Sequence, residues 1–511
     1  MSERLFVRAT PILVRWLAGC LACFIVMATA SAARDYQLPT IGQPADAYMS
    51  PAKEDKLGRQ VVSELLGRGM IIEDTLLSEY VNQVGRRLVS HTSGDAGDFQ
   101  FYVIDSAQVN AFALPGGYVG INAGLLTETD NESELAGVMS HEIAHVTQRH
   151  IARQIEATSG MGWATAAAVL LAAVAGGGDP DAISAAVAAG VSNLGQQQTN
   201  YTRSHEYEAD RLGIRTLAAA GYDPDAMSSF FAKMQRRARL YGTQLPQILL
   251  SHPVSNTRMA EAESRAADYG AIDVRESPEY ALMKERARVL AGRQLGDLAR
   301  YYEDRRDDGR PAPALDYGYA LVLNRLGRNQ KAAELLQPLA RAHPDMLAYR
   351  LALAHTYSRA GQLATARRQL DAIRADFPDS AAAKLDYART LIEAGEADAA
   401  RDYLLGETEL LTSASEAQEM LARAAGKEGR LGEAYYRQAR FHAMRGAYAP
   451  AINQLRAALQ TADLNAFDES RLRAQLDQIV RACHDAWSER ECRERVNEDA
   501  RPGSTRRGSA R

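Results

Sequence analysis

The chain has 511 residues, which is too long for one ordinary hydrophobic core and predicts two or three domains. Apolar residues make up 46% of the sequence and charged residues 24%, a balance typical of folded globular domains and not of disordered chains. The formal net charge is −5, so the sequence lacks the concentrated basic character of nucleic-acid-binding proteins, and no nucleic-acid partner is expected.

The N-terminus predicts an export signal. Arginines precede an uncharged run, residues 16–33, that includes the small residues Ala30-Ser31-Ala32. Signal peptidases cut after such small residues, so residues 1–32 are predicted to be removed before Ala33. Two alternatives stay open: a permanent membrane anchor, and a lipoprotein cleavage box that ends at Cys20.

The cleaved chain keeps two cysteines, Cys483 and Cys492. In an exported protein, two cysteines close in sequence predict one small disulfide in an oxidising compartment, and two free thiols are the alternative. Both lie in a tail, residues 481–511, whose end from Glu498 onward is polar and is predicted to be disordered.

The next region predicts a mixed α and β domain. Residues 33–50 are polar and interrupted by prolines, which indicates an extended lead-in. Apolar residues at three-and-four spacing predict helices within residues 57–91. Residues 99–105 and 117–124 alternate like strands, and the Pro-Gly-Gly between them indicates a hairpin. A long helix is predicted to open near residues 131–133, where Asn and Ser side chains can cap it.

Residues 161–194 are Ala-rich and apolar, with a Gly-rich break in the middle. Each half is too short to cross a bilayer, so the segment predicts a helical hairpin. It is either packed over the domain or a mobile lid that touches lipid or an apolar substrate. The second interpretation would give the protein a peripheral membrane contact.

The stretch "VMSHEIAHVTQRH", residues 138–150, carries three of the ten histidines of the chain. His141 and His145 are four residues apart, so on a helix they share one face and can chelate one ion. Glu142 lies one step round the helix, close enough to reach a metal-bound water without acting as a ligand. His150 is half a turn out of phase with His141 and is predicted to face away, as a surface residue.

A hydrolytic zinc site needs a third protein ligand and an open position for water. The stretch "SHEYEADRLG" offers Glu206 and Asp210, which are four residues apart and therefore lie on one helical face. We predict that Glu206 is the third ligand and that Asp210 orients a zinc-bound histidine from behind. Glu208 is predicted to point elsewhere on the same helix.

The second half of the chain contains a repeat of 34 residues, which is the tetratricopeptide period. The period is carried by glycines expected at turns, by alanines expected where helices touch, and by prolines expected after the second helix: Gly327, Gly361, Gly395, Gly429; Ala332, Ala366, Ala400, Ala434; Pro344, Pro378. Such helix pairs stack into a solenoid with a concave binding surface. The repeats are placed at residues 306–480, after connecting helices at residues 271–305.

The motifs together resemble the M48 family of zinc metallopeptidases. The match rests on "HEIAH" from His141, on "EYEAD" from Glu206, and on the block "SHPVSNTR", which contains His252 and Arg258. The resemblance implies an α+β fold, in which a zincin-like metallopeptidase domain at residues 51–270 is mostly helical with a small sheet. An all-α tetratricopeptide solenoid follows this domain. One Zn²⁺ per chain is implied, with Glu142 as the proton acceptor and donor.

The same resemblance implies two further roles. His252 would occupy the fourth zinc position in a resting form and then swing to stabilise the oxyanion, although a structural loop histidine before Pro253 is the alternative. The stretch "NAFALPGGYVGINAG" resembles the active-site hairpin of the family, whose edge pairs with an extended substrate. Its substrate-binding residues would be Asn110, Ala111, Phe112 and Ala113.

At the level of function, the resemblance implies a periplasmic endopeptidase of a Gram-negative bacterium, either free or associated with the outer membrane. Its substrates would be misfolded or stalled outer-membrane proteins, and its repeats would dock these substrates or the β-barrel assembly machinery. Two other interpretations stay open: a repeat-based chaperone or adaptor with little proteolysis, and a housekeeping peptidase without an outer-membrane role.

Overall fold

The computed structural model describes residues 49–92, 97–157, 195–241, 246–270, 272–306, 312–461 and 464–500. The predicted signal peptide, most of the lead-in, the apolar hairpin and the extreme C-terminus lie outside these ranges. Within them, none of the helices combines the length and the apolar character needed to cross a bilayer.

The N-terminal part, which comprises the described residues between 49 and 270, is mostly helical with one small sheet. Its elements are, in chain order, α1 (Pro51–Gly67), α2 (Thr75–Val89), β1 (Gln100–Ile104), β2 (Ala111–Leu114), β3 (Tyr118–Asn122), α3 (Ala123–Glu128), α4 (Glu132–Thr147), α5 (His150–Ala157), α6 (Gly195–Ala219), α7 (Ala226–Tyr241), α8 (Gln247–Ser251) and α9 (Asn256–Ala267).

The repeat region, which comprises the described residues between 280 and 500, is built from helices. They are α10 (Tyr280–Ala291), α11 (Leu295–Arg306), α12 (Pro313–Arg325), α13 (Asn329–Ala342), α14 (Leu347–Arg359), α15 (Leu363–Asp376), α16 (Ala381–Glu393), α17 (Ala397–Gly406), α18 (Leu410–Ser413), α19 (Ser415–Lys427), α20 (Leu431–Met444), α21 (Tyr448–Ala458), α22 (Ala466–Ala486) and α23 (Glu489–Asp499). The predicted α+β class with a following all-α repeat region is confirmed.

The three-stranded sheet has the order β1-β3-β2 and corrects one prediction. The Pro-Gly-Gly turn does make a hairpin, but its first arm is β2, whose register pairs Phe112 with Gly120. The strand-like run at residues 99–105 forms β1 instead, which pairs with β3 in parallel, Val103 opposite Ile121. Parallel neighbours need a connection longer than a tight turn, and the segment that contains β2 supplies it.

Helix α4 lies at the centre of the N-terminal part. It begins as predicted after Asn131, whose side-chain oxygen accepts a hydrogen bond of 2.8 Å from the backbone N–H of Glu134. It packs against β2, α2, α6 and α7, and its residues from Glu132 to Ala144 are all buried. A helix that is covered on all sides holds its side chains in fixed positions, which suits a site that needs exact geometry.

The repeat glycines adopt the turn conformation that the period predicted. Gly327, Gly361, Gly395 and Gly429 have φ angles of +74°, +75°, +83° and +75°, a left-handed region that glycine enters without steric cost. The alanines at positions 332, 366 and 400 are fully buried where paired helices touch, whereas Ala434 is only half-buried.

The C-terminal end of the repeat region remains helical. The predicted boundary at residue 480 falls inside α22, and α23 continues the helical structure to Asp499. Cys483 and Cys492 are joined by a disulfide that links these two helices, with 5.9 Å between their Cα atoms. The predicted tail is therefore ordered as far as residue 500 in the described ranges.

The repeat region contacts α1 and α2 of the N-terminal part at several points along its length. In α10, Arg286 forms two hydrogen bonds of 2.7 Å with the carboxylate of Asp74, the N-cap residue of α2. The Glu79 carboxylate accepts a bond of 3.0 Å from the backbone N–H of Ala382, at the start of α16. Near the end of the repeats, Arg445 pairs with Glu73. The repeats and the N-terminal part are therefore one packed structure.

Candidate active site

Four side chains meet at one point inside the N-terminal part: His141, His145, Glu206 and His252. Each offers one ligand atom, and these atoms all lie within 4.8 Å of one another. Nε2 of His145 lies 3.0 Å from Nε2 of His141, and the Glu206 carboxylate lies 3.4 Å and 3.5 Å from these two nitrogens. Imidazole nitrogens with one carboxylate are a ligand set that zinc accepts. The structure thus brings together the three sequence-predicted ligands, and we call them, with His252, the ligand cluster.

Helix α6 carries Glu206 and approaches α4 closely. A Cβ atom added at Gly213 would lie 3.2 Å from the backbone nitrogen of His141 and 3.3 Å from its Cα. These distances are tight for a side chain, so glycine allows the two helices to pack closer than a larger residue would. Glu206 lies two turns before Gly213 on α6, and the close packing brings its carboxylate to the histidines of α4.

Asp210 lies behind His141, on the side opposite the cluster. Its Oδ1 is 3.0 Å from Nδ1 of His141, a distance at which it could orient the ring. Arg258 donates to both oxygens of Asp210, at 2.7 Å and 2.8 Å, and its Nη1 also lies 2.9 Å from the Glu206 carboxylate. One guanidinium therefore fixes Glu206 and Asp210 of α6 relative to each other.

His252 ends α8 and lies between the other ligands and Glu142. Its Nδ1 is 3.1 Å from Glu206 and 3.3 Å from His141, while its Nε2 is 3.3 Å from the Glu142 carboxylate. Helix α8 is held in place where the backbone N–H of Ile248 donates to the carbonyl of Val109, at 3.0 Å. The imidazole of His252 is therefore part of the ligand cluster and also a neighbour of the predicted proton acceptor.

The electrostatics of the cluster follow from burial and close charges. Burial lowers the pKa of His141, but the Asp210 and Glu206 carboxylates outweigh this effect and raise it to about 10. Burial and the neighbouring His141 hold the pKa of His145 well below its usual value. Burial raises the pKa of Glu206, yet His252 and His141 outweigh burial and hold it well below the usual range. Metal binding would therefore displace a proton from His141.

The prediction for His150 is wrong. It was expected on the surface, but it is 3% exposed, and its Nδ1 lies 2.8 Å from Nδ1 of His145. The expectation assumed that α4 continues through residue 150. Instead α4 ends at Thr147, and Arg149 adopts a left-handed φ of +53°, so the chain turns and α5 begins at His150.

The predicted substrate-binding residues lie at and before the edge strand of the sheet. Asn110 and Ala111 are buried, and the Asn110 side chain accepts a hydrogen bond of 3.2 Å from the hydroxyl of Ser251, next to His252. Phe112 and Ala113 are half-buried. Because β2 is at the edge of the described sheet, its backbone is the element that could pair with an extended chain.

Residues 75–266 match the family model described as Peptidase family M48. This segment is an M48 peptidase domain. All the residues of the ligand cluster lie within the M48 domain. Residues 323–383 and 361–406 each match a tetratricopeptide repeat model, which confirms that repeats follow it.

Three relatives are similar in sequence to part of this chain. The chain is 36% identical over 312 residues to the β-barrel assembly-enhancing protease of Escherichia coli (strain K12), and 35% identical over 309 residues to the protein of that name from Yersinia pestis. Each alignment covers 60% of this chain and 63% of the relative, so the chain spans less than two thirds of their length. A mitochondrial metalloendopeptidase OMA1 of Arabidopsis thaliana is 30% identical over 193 residues, 36% of each chain.

Sequence reasoning missed three residues that surround the cluster in the M48 domain. Arg258 was recognised within a motif but received no role, and His205 was not considered. His205 directly precedes Glu206 and is buried, with its ring stacked on that of His150 at 4.1 Å between centroids. A second histidine beside a predicted ligand was the available signal. Arg149 gave no signal in the sequence, because its conformation depends on distant partners.

Proposed function

We propose that this chain is a zinc-dependent endopeptidase of the periplasm that acts on misfolded or stalled outer-membrane proteins. The observation that carries the proposal is the set of buried His141, half-buried His145 and buried Glu206 with the Glu142 carboxylate close by. A zinc ion would be held by these three residues. Buried carboxylates and imidazoles with so many ligand atoms directed at one point are costly for stability alone, which favours a metal-binding role.

The residues around the site have distinct chemical tasks in this proposal. Zinc, when bound, supplies Lewis-acid activation of a water molecule and of the scissile carbonyl. Glu142 accepts a proton from the attacking water and later donates it to the leaving amine. Its side chain is 2% exposed, so this proton stays near the reacting groups and away from bulk water. Asp210 holds the proton of His141 on Nδ1, which leaves Nε2 of that ring free to bind the ion.

His252 is proposed to control access to the site. Its Nδ1 belongs to the ligand cluster, so in this arrangement it would take the fourth position of the ion and keep water out. For catalysis the ring would turn away from the ion and donate a hydrogen bond to the oxyanion. Its place among the ligands supports this role over that of a structural loop histidine.

The substrate class is inferred from the relatives and from the edge strand. The two bacterial relatives carry the name β-barrel assembly-enhancing protease. An unfolded or stalled β-barrel protein exposes extended segments that can add to a sheet edge, and β2, which begins directly after Asn110, is such an edge. The repeats are proposed to dock this substrate or the β-barrel assembly machinery. The predicted export signal and the Cys483–Cys492 disulfide favour an oxidising periplasm.

Metal content tests the proposal. The purified protein should contain about one zinc ion per chain, because a site of this kind binds one ion. The variant Glu206→Gln should lose most of its zinc after dialysis, because a neutral amide replaces the carboxylate ligand. Glu263→Gln is the matched control, since Glu263 is an exposed residue of the neighbouring α9. Elemental analysis of the three proteins gives the answer, and full zinc content in Glu206→Gln would remove the third ligand from the proposal.

A further inference from the structure

His150 contacts a predicted zinc ligand from behind. Its Nδ1 lies 2.8 Å from Nδ1 of His145, while Nε2 of His145 faces the ligand cluster. A contact of this length between two ring nitrogens requires that one carries a proton and the other accepts it. The contact therefore depends on which nitrogen of the His145 ring carries the proton.

The tautomers follow from the ligand role of His145. If Nε2 of His145 offers its lone pair to an ion, the proton of the ring is on Nδ1 and is donated to Nδ1 of His150. The proton of His150 is then on Nε2, which lies 3.2 Å from the Glu208 carboxylate. Each donor in this series of hydrogen bonds has one acceptor, and the series ends at the negatively charged Glu208. A carboxylate in this position is the usual support for a metal-bound histidine.

The helix that provides the Glu206 ligand also holds His150 in place. His205 stacks on the ring of His150, with an angle of 8° between the two planes. Glu208 is fixed in turn by Arg153, whose Nη1 donates to the same carboxylate oxygen at 3.0 Å. His150 thus has one neighbour across its face and one at its Nε2, and both come from α6.

The backbone before His150 is also held in an uncommon conformation. Arg149, with a φ of +53°, has the one left-handed non-glycine backbone among the described residues. Its guanidinium donates to the Glu54 carboxylate at 3.1 Å and to the carbonyl of Met49 at 2.6 Å. A backbone conformation of this kind persists only where the surroundings enforce it. As a result, the His150 side chain contacts His145, although α4 ends between these two residues.

We infer that His150 is a positioning residue for zinc. It links the Glu208 carboxylate to His145 through two hydrogen bonds and so fixes the orientation and tautomer of His145. The inference rests on the proposed function, since it presumes that His145 binds an ion. Under this inference, two of the zinc-binding histidines are each oriented by a carboxylate, one directly and one through a second ring. Asp210 contacts His141 directly at 3.0 Å, whereas Glu208 reaches His145 through the ring of His150.

Zinc affinity of two variants tests the inference. His150→Phe keeps a flat ring for stacking on His205 but has no nitrogen to accept the His145 proton. We expect its zinc dissociation constant, measured by competition with a chelator, to rise about 10–100-fold. Glu208→Gln keeps an oxygen acceptor and removes the charge, so we expect a smaller rise. The control is His442→Phe, a half-buried histidine in the repeat region.

A spectroscopic measurement separates positioning from packing. In the cobalt(II)-substituted protein, the visible absorption bands depend on ligand geometry, so His150→Phe should shift them and His442→Phe should not. Wild-type zinc affinity and an unchanged cobalt spectrum in His150→Phe would overturn the inference while the proposed function stands. If His150→Phe does not fold, Glu208→Gln decides, and an unchanged affinity in that variant overturns the inference. A wild-type protein that takes up no zinc would remove the proposed function and the inference together.

Discussion

Carboxylates with little solvent exposure serve different purposes in the ligand cluster and at the contact between the N-terminal part and the repeats. At the repeat contact, Asp74 receives two hydrogen bonds from Arg286 and one from the backbone N–H of Leu77. Its oxygens are fully used by donors that cannot themselves bind a metal. In the cluster, Glu206 faces three imidazoles, each of which offers one nitrogen as a possible ligand.

The difference shows how a buried acidic residue can be assigned to structure or to function. Arg286 has no lone pair to offer an ion, so its pairing with Asp74 only fixes two elements relative to each other. Around Glu206 most nearby groups are lone-pair donors, so the same burial creates a place for a cation. We therefore expect variants at the two regions to change different quantities: activity and metal affinity at one, stability at the other.

The largest expected effect comes from Glu142→Gln, whose side chain lies beside the ligand cluster. The variant keeps the shape of the side chain and removes the proton acceptor, so peptide hydrolysis should fall about 10²–10⁴-fold. Zinc content should not change, because Glu142 is not one of the proposed ligands. The measurement is the cleavage rate of an unfolded outer-membrane protein, with the exposed Glu334→Gln as a control.

The same variant distinguishes the peptidase from the adaptor in cells. A stalled β-barrel precursor should persist in cells that carry Glu142→Gln and disappear in cells that carry the wild-type protein. Full rescue of outer-membrane assembly by Glu142→Gln would instead support a repeat-based chaperone or adaptor.

At the repeat contact, Arg286→Met should lower stability and leave the metal site intact. The substitution leaves the Asp74 carboxylate, whose side chain is 14% exposed, without its cationic partner, which costs about 3–5 kcal/mol for a largely buried pair. The free energy of unfolding in urea is the quantity to measure, together with zinc affinity, which should stay at the wild-type value.

Two further variants sharpen this result. Arg286→Met combined with Asp74→Asn should recover much of the lost stability, because no uncompensated charge remains and the amide can still cap α2. Arg367→Met breaks an exposed pair with Glu396 and should change the unfolding midpoint very little. A loss of zinc affinity in Arg286→Met at unchanged stability would contradict the separation of the two regions.

Sequence patterns were informative where the structure depends on nearby residues. The four-residue spacing of His141 and His145 needs one helix, and the Asn131 cap that starts it is adjacent in the chain. The repeat period likewise marks turns whose glycine conformation is local. Glu206 could be predicted as a third ligand because the chemistry of zinc limits the choice of residue types, and its carboxylate does lie with the histidines.

The features that sequence reasoning missed depend on partners far along the chain. The left-handed turn at Arg149 is held by Glu54 and the Met49 carbonyl, which are 95 and 100 residues away. Without that turn, helical phase places His150 on the surface. The parallel pairing of β1 with β3 was missed for a different reason, since a hairpin is the simplest pairing of two strands near in sequence.

The dependence of stability on pH should differ in sign between the ligand cluster and the repeat region. Burial raises the pKa of Asp386 in the repeat region, but His355 and Arg389 outweigh it and lower the pKa to about 2, from 3.8. As pH falls, the unfolded chain therefore takes up a proton before the folded one does. The stabilisation is present above about pH 4 and is lost as pH falls through about 2, and its full size is about 2 kcal/mol.

In the metal-free ligand cluster, stability changes on the alkaline side of the pH range instead, because the pKa of His141 is raised from 6.5 to about 10. That stabilisation is complete below pH 6.5 and is lost as pH rises through about 10. Unfolding free energies of the chelator-treated protein between pH 2 and pH 10 test both limbs. Asp386→Asn should lower stability by about 2 kcal/mol at neutral pH, and this difference from wild type should shrink toward zero near pH 2. A constant difference across the whole pH range would mean that Asp386 acts through packing, and the charge-based contrast between the two regions would then not hold.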